Sequence, residues 1–191
     1  MKRDRLIVFA RAPRLGAVKR RLARGIGAMA ALRFYRRQLA ATLREAARPG
    51  PWRAAIAATP DRARARWPRR LEVRPQGGGD LGARMARAMR PYRRVVVVGS
   101  DIPGLRAADF RAAFRALGRA DAVFGPAEDG GYWLVGLGPR RPARPFAGVR
   151  WSSEHTLADT LANFRGRRVA TLRVLRDVDT AADLRAVGEA G

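Results

Sequence analysis

The sequence predicts an α/β protein, a sandwich of helices around a mostly parallel sheet. Three observations carry that prediction. Short apolar strands alternate along the chain with amphipathic helical stretches, as in βαβ units. The run Val95 to Val98 is apolar on both faces, as a central parallel strand must be. The strands near 122–124 and 131–137 are joined by the turn Glu128-Asp-Gly-Gly131, which adds a local antiparallel pair. With 191 residues, no repeat and no linker, the chain is expected to form one domain, 1–191, large enough to bury a core without staples.

Each element has its own signal. Leu6 to Ala10 is apolar and runs into Arg11-Ala-Pro13, a buried strand ending in a loop. Leu32, Tyr35, Leu39, Leu43 and Ala46 recur at helical spacing, so 28–47 reads as a helix, stopped by Pro49-Gly50-Pro51. Trp52 to Thr59 alternates as a strand. Residues 61–66 read as a short helix before Pro68, and 71–75, ending in proline, as an edge strand. The glycine-rich turn 77–82 precedes a helix over 82–90. Strand 94–98 leads through Gly99 to Pro103 into a helix over 106–118, with Phe110, Phe114 and Leu117 on one face. Beyond the antiparallel pair, 139–145 reads as a surface loop, 153–164 as a helix and 169–174 as a strand. The last helix, 180–188, has Thr180 as its candidate cap. In such sheets ligands bind at the C-terminal strand edges, so loops 11–19, 99–103 and 125–131 are expected around one cleft.

Composition narrows the chemistry. The absence of cysteine excludes disulfides, thiolate metal sites and thiol nucleophiles, and a single histidine, His155, excludes a multi-histidine zinc site. No apolar run approaches the ~20 residues of a membrane span. The basic-then-apolar start is too short for a signal peptide and is interrupted by Arg11, so a cytoplasmic protein is expected. The net charge of +24 invites a nucleic-acid partner. However, 38 of the 40 basic residues are Arg, only Lys2 and Lys19 being Lys, which reads as compositional bias. The charge is also uneven: residues 1–100 hold 26 basic and five acidic side chains, residues 101–191 hold 14 and 11.

Several segments carry candidate chemistry, each with a plainer alternative. In the loop from Arg11 to Arg21, Gly16 permits close backbone approach, and Lys19 and Arg21 would hold phosphate oxygens; alternatively the loop is a solvated basic face. Gly77, Gly79 and Gly82 match GxGxxG, with Asp101 further on. The preceding strand is charged and ends in Pro75, which argues against a nicotinamide or flavin site. Asp101, at the end of the central strand, is either a ligand for Mg²⁺ or Mn²⁺ or the cap of a helix starting near Leu105. Asp177 and Asp179 would point the same way in an extended segment, as two metal ligands, or serve as caps. Glu128 to Tyr132 either grips an acceptor or is a hairpin turn. His155 lies near Ser152 and Ser153 without a nucleophile-elbow motif and reads as a surface residue.

Taken in order, FARAPRLGAVKRRL, PQGGGDLGARM, GSDIPGL, DAVFGPAEDGGYWLVGL, FAGVRWSS and DVDTAADL resemble the bacterial GT-A-type nucleotide-diphospho-sugar transferase family over Leu6 to Leu184. Its fold is similar to that of molybdenum-cofactor and phospholactate guanylyltransferases. The resemblance implies a Rossmann-like three-layer α/β/α sandwich with a mixed sheet. It implies that Arg11, Pro13, Gly16, Lys19 and Arg21 bind nucleotide phosphates, and that Gln76, Gly79, Asp80 and Arg84 complete the nucleotide pocket. Asp101, Asp177 and Asp179 would hold the metal. Glu128, Asp129, Gly130, Gly131 and Tyr132, with Trp151 and Ser152, would face the second substrate. The chain departs from the family pattern at Arg11, where Lys is common, and at Arg20, where Thr is usual. GSDIP also has one Asp instead of a full DxD.

The expected function is therefore a Mg²⁺- or Mn²⁺-dependent transferase with a nucleotide or nucleotide-sugar substrate and an acceptor of unspecified class. Glycosyl transfer is the first form and nucleotidyl transfer with pyrophosphate release the alternative. Lys19 and Asp101 would be central to catalysis, with Glu128 or Asp129 as base. The competing classes are a nucleic-acid-binding protein, for which no RNA-recognition motif or helix-turn-helix is evident, and a dinucleotide-dependent enzyme.

Overall fold

Alternation along the first and fourth strands organises the whole molecule. In β1 (Asp4–Arg11), Leu6, Val8 and Ala10 face one core while Ile7 faces another. In β4 (Val95–Gly99), Val96 and Val98 join the first core, and Val95 and Val97 the second. A strand covered on both faces needs apolar residues on both, and these two have them over Leu6 to Ala10 and Val95 to Val98. The computed structural model describes residues 4–62 and 65–188.

The other strands are β2 (Trp52–Thr59), β3 (Glu72–Pro75), β5 (Ala122–Pro126), β6 (Tyr132–Leu137) and β7 (Val169–Thr171). They form one seven-stranded sheet in the order β3-β2-β1-β4-β6-β5-β7. β6 runs antiparallel to both β4 and β5, and every other neighbouring pair is parallel. The expected mixed, mostly parallel α/β/α sandwich is present, with the antiparallel pair where the 128–131 turn predicted it.

Helices α1 (Arg20–Ile26), α2 (Ala28–Ala46), α3 (Leu81–Met89), α4 (Ala107–Ala116) and α5 (Thr156–Ala162) lie between the strands, and α6 (Ala181–Gly188) follows the last of them. On α2 the predicted stripe of Leu32, Tyr35, Leu39, Leu43 and Ala46 is buried against the first core. Trp52 stacks on Phe114 of α4 with ring centroids 5.6 Å apart and meets Phe110 edge-on, joining α2, β2 and α4. Met85 and Met89 of α3 pack into the second core with Phe124, Phe146 and Phe164.

Three expected elements differ. The helix at 61–66 does not form among the described residues: Asp61 and Arg62 lie in a turn and 65–68 are irregular, while 63–64 lie outside the described residues. So short a segment, with no apolar stripe to bury, cannot sustain a helix. The helix expected over 153–164 covers only Thr156–Ala162, because Ser153 and Thr156 bond back to the Arg150 carbonyl and hold the preceding residues in turns. The strand expected over 169–174 ends at Thr171; the chain then runs beside the end of β5 through the single bridge Ala127–Leu175. No helix of the described residues is long and apolar enough to cross a membrane.

Candidate active site

The C-terminal ends of β1 and β4 open into a cleft of about 590 Å³, closed by the start of α3, by Trp151 and Ser152, and by the 177–179 segment. Each wall is set by local chemistry. The loop after β1 is anchored by buried Val18 and turns at Gly16, whose φ is +72°. It delivers Lys19 with φ +46° and ψ +50°, a left-handed backbone that non-glycine residues seldom adopt. From β4, Gly99 and Ser100 lead to Asp101. The third contribution comes from 177–179, where Val178 is fully buried in a small core with Leu22, Ala31 and Phe34. That burial fixes the alternation, so Asp177 and Asp179 both turn into the cleft, as the period-two spacing predicted.

The three carboxylates converge on one atom. Lys19 Nζ lies 2.7 Å from Asp101 Oδ2, 3.1 Å from Asp177 Oδ1 and 2.9 Å from Asp179 Oδ1. The Lys19 side chain is 5% exposed. Burial by itself would depress its pKa, but the three carboxylates outweigh burial and hold it above the usual lysine range. Asp177 is shifted upward, first by burial and then by the charges of Asp101 and Asp179, against the pull of Lys19. One ammonium among three carboxylates leaves a local excess of negative charge. Arg21 stands on the rim, its Nη1 3.9 Å from Asp179.

Among the described residues, no group of three or more such side chains is spaced to grip a metal ion as it stands. The aspartates are spaced for an ammonium, with contacts near 3 Å, and would have to draw in by about 1 Å to reach metal–oxygen distances. In donor chemistry and charge they suit a hard divalent cation. Lys19, expected from the sequence to hold phosphate, instead bonds these carboxylates. Asp101 does not cap α4, which starts at Ala107 with Asp109 bonding back to the Arg106 N–H. The cap of α6 is Thr180, whose Oγ1 accepts from Asp183 N–H.

Opposite this cluster the glycine-rich turn builds the floor. Gln76 is buried; its Nε2 donates to the Ala57 carbonyl at 2.8 Å and its Oε1 accepts from Arg84 at 3.0 Å. Arg87 closes the turn by donating to the carbonyls of Gln76 and Gly78, and Asp80 caps α3 by accepting from Ala83 N–H at 2.7 Å. Gly82 is required for a different reason from a dinucleotide fingerprint. A Cβ there would sit 2.7 Å from Trp151 Cζ2 and 2.9 Å from Phe146 Cβ. Its glycine lets α3 approach Trp151, which lines the cleft.

Arg11, Lys19, Arg21, Gln76, Asp80, Arg84, Asp101, Trp151, Ser152, Asp177 and Asp179 thus share one cleft. The 125–131 loop does not join them. Glu128 pairs with Arg176 at 2.6 Å, and Asp129 accepts from Gly131 N–H at 2.9 Å to shape its own turn. Gly130, at φ +81°, lies so close to Glu154 that a Cβ would fall 2.1 Å from that carbonyl oxygen. Tyr132 turns its ring onto Phe124, and burial raises its phenol pKa. Glu128 to Tyr132, expected to face the acceptor, do not line this cleft; their turn packs against the start of α5. Pro13 lines a different groove, of about 670 Å³, with Leu39, Leu43 and Trp67 as its apolar lining. That groove is the larger, but none of its lining residues is a carboxylate, and the candidate chemistry lies in the smaller cleft.

Sequence reading missed two cleft residues. The hydroxyl of Tyr35 accepts from Arg11 N–H at 2.9 Å, donates to the Arg11 carbonyl at 2.7 Å and meets Ser100 Oγ at 3.1 Å. Burial pushes this phenol up to about 12, so it stays protonated. The signal was available: a tyrosine within an apolar helical stripe needs a partner for its hydroxyl.

A cleft at the C-terminal edge of this mixed sheet, with a basic loop facing clustered carboxylates, defines a transferase of the nucleotide-diphospho-sugar transferase fold. A Desulfovibrio desulfuricans G20 protein provisionally assigned to that class is 30% identical, with a TM-score of 0.89 over 98% of this chain and 87% of its own. The chain belongs to the family described as uncharacterized protein conserved in bacteria (DUF2064), whose model matches residues 42–153. A phosphoenolpyruvate guanylyltransferase of Thermomonospora curvata is 36% identical over 106 residues, 55% of this chain; the chain spans 45% of that relative's length. A Mycobacterium tuberculosis H37Rv protein solved as a manganese complex shares the fold, at 16% identity and a TM-score of 0.55 over the whole of both chains.

Proposed function

We propose that the protein, working as a single cytoplasmic catalytic domain, transfers a nucleotidyl group from a nucleoside triphosphate to an acceptor that is already anionic, releasing pyrophosphate with the help of Mg²⁺ or Mn²⁺. One observation carries this reading: every carboxylate lining the cleft is committed. Asp80 caps α3, and Asp101, Asp177 and Asp179 surround Lys19. The lone histidine does not line the cleft either. An acceptor hydroxyl needs a base to take its proton, whereas an ionised phosphate or carboxylate oxygen does not. The likeness to a guanylyltransferase supports the same reaction, with guanosine triphosphate as the first donor to try and phosphoenolpyruvate as the first acceptor.

The residues divide the work electrostatically. Arg11, Arg20 and Arg21 rim the cleft and offer guanidinium donors to the triphosphate, Arg84 standing across from them. Asp101, Asp177 and Asp179 would hold the divalent cation, which when bound supplies positive charge to the phosphoryl oxygens. The acceptor oxygen attacks the α-phosphorus in line, the bond to the bridging oxygen breaks, and pyrophosphate leaves with the electron pair. Trp151 and Ser152 line the side open to the acceptor.

Glycosyl transfer from a nucleotide sugar is the second reading, favoured by the 30% identity to the Desulfovibrio protein. One assay separates them. The protein with Mn²⁺ is given each nucleoside triphosphate with phosphoenolpyruvate, and separately a panel of nucleotide sugars. Acceptor-dependent pyrophosphate release supports nucleotidyl transfer. Release of nucleoside diphosphate from a sugar nucleotide, with no pyrophosphate from any triphosphate, overturns it.

A further inference from the structure

We infer that Lys19 is the resident counter-ion of the carboxylate cluster, and that a divalent cation is held firmly only once nucleotide phosphates draw the ammonium away. Metal binding is then conditional on nucleotide. The inference rests on the metal-dependent reading above and concerns the order in which that site is filled.

The geometry leads there in three steps. First, Nζ sits at the convergence point of Asp101, Asp177 and Asp179, within 2.7–3.1 Å of all three. A cation held by the same oxygens at about 2.0–2.2 Å takes that point, so ammonium and metal exclude each other. Second, the position demands lysine. Only two of 40 basic residues are Lys, and this one meets carboxylates supplied by two separate stretches of chain. A compact ammonium with three donors can do so, whereas a planar guanidinium fork is built for one carboxylate at a time. Third, Lys19 is a non-glycine residue held in left-handed backbone, at φ +46°. Such a conformation persists where surrounding contacts over-determine it, and three charged bonds from a buried ammonium do that.

Departure of Lys19 is unfavourable alone, because it leaves three carboxylates facing one another. It becomes favourable when the ammonium exchanges them for phosphate oxygens and a divalent cation enters in its place. The rim arginines beside Lys19 bring those phosphates to the same mouth of the cleft.

The test measures metal binding, not turnover. Mn²⁺ is titrated into wild type, Lys19→Met and Asp101→Asn, with free Mn²⁺ followed by electron paramagnetic resonance. Without nucleotide, Lys19→Met is expected to bind Mn²⁺ about tenfold tighter than wild type or better, because a fixed positive charge has left the site. Guanosine triphosphate should tighten Mn²⁺ binding in wild type more than in the variant. Asp101→Asn should weaken it in every condition. A second measurement uses wild type, so it stands even if the variant folds poorly. Lys2 and Lys19 are the only lysines. Acetylation of Lys19, read by mass spectrometry against Lys2, should be slow and should accelerate severalfold when Mn²⁺ saturates the site. If Mn²⁺ binds but Lys19→Met is no tighter and Lys19 acetylation does not rise, the exchange is wrong and the metal site stands. If no protein binds Mn²⁺ even with guanosine triphosphate, the metal-dependent reading fails and the exchange with it.

Discussion

Asp101 and Tyr35 show how single residues carry the cleft. Asp101 is the carboxylate nearest to Lys19, and it stands at the end of the central strand, where a change of charge is felt without a change of shape. Asp101→Asn is expected to abolish Mn²⁺-dependent nucleotide binding while leaving the fold intact. Calorimetric titration with guanosine triphosphate and Mn²⁺ checks this, and unchanged affinity would remove Asp101 from the site. Tyr35 acts one step further back. Its hydroxyl ties the end of β1 to Ser100, the neighbour of Asp101, so it positions the two loops that face each other across the cleft. Tyr35→Phe keeps the ring and leaves the part-buried Arg11 N–H without the hydroxyl that accepts from it. A loss of about 1–3 kcal/mol is expected in urea unfolding. A purely structural tyrosine would lower stability alone; a positioning one also weakens nucleotide binding in the still-folded protein. Much of this scale was legible in the sequence. Asp101, Asp177 and Asp179 could be picked out because carboxylates at a strand end and in alternating spacing are costly unless something positive meets them. That the positive partner is Lys19 could not be read, because it depends on a left-handed backbone at one residue and a contact spanning 158 positions.

At the scale of elements, the turn between β5 and β6 makes the sharpest distinction between a substrate contact and a packing contact. Its acidic and glycine residues read equally well as an acceptor clamp or a hairpin, and the structure shows how tightly the hairpin is packed. Gly130 approaches the Glu154 backbone so closely, at positive φ, that any side chain must push α5 away. Leu157 N–H also donates to the Gly130 carbonyl at 2.9 Å, so the displacement would break a hydrogen bond. Gly130→Ala should therefore cost about 2–5 kcal/mol, from overpacking and from left-handed backbone together. Thermal unfolding measures it; a melting temperature unchanged from wild type would mean that the turn is free to move and is not held by this contact. The longer elements were predictable because their signals are periodic: the stripe on α2 and the valines of β4 each repeat their burial several times. The short helix at 61–66 and the full length of α5 were not legible because those segments have no repeat, and at α5 side-chain bonds to a single carbonyl, such as Thr156 to Arg150, set where the helix starts.

The whole molecule carries +24, and the structure shows where that charge is and is not matched. Buried or half-buried carboxylates take specific arginine partners, as Asp109 takes Arg173 and Asp121 takes Arg140. Asp101, Asp177 and Asp179 of the cleft are instead gathered around a single lysine, and most arginines stand at the surface with few acids to meet. A surface of this kind attracts any polyanion through counterion release, whatever the protein's function. Cleft binding of one nucleotide is different in kind, because it displaces few counterions and relies on close contacts that salt screens weakly. The two modes therefore separate in a salt titration. Between about 50 and 200 mM salt, duplex DNA affinity should fall by roughly 10³-fold or more, as expected for a protein touching many phosphates. Over the same range, affinity for guanosine triphosphate with Mn²⁺ should fall by about tenfold or less. Saturating guanosine triphosphate and Mn²⁺ should also leave residual DNA binding nearly unchanged, since the arginines that hold duplex are spread over the surface and not confined to the cleft. Parallel fluorescence-anisotropy titrations measure all three. Equal salt slopes, or full displacement of DNA by the mononucleotide, would place the polyanion in the cleft itself and make nucleic acid the substrate.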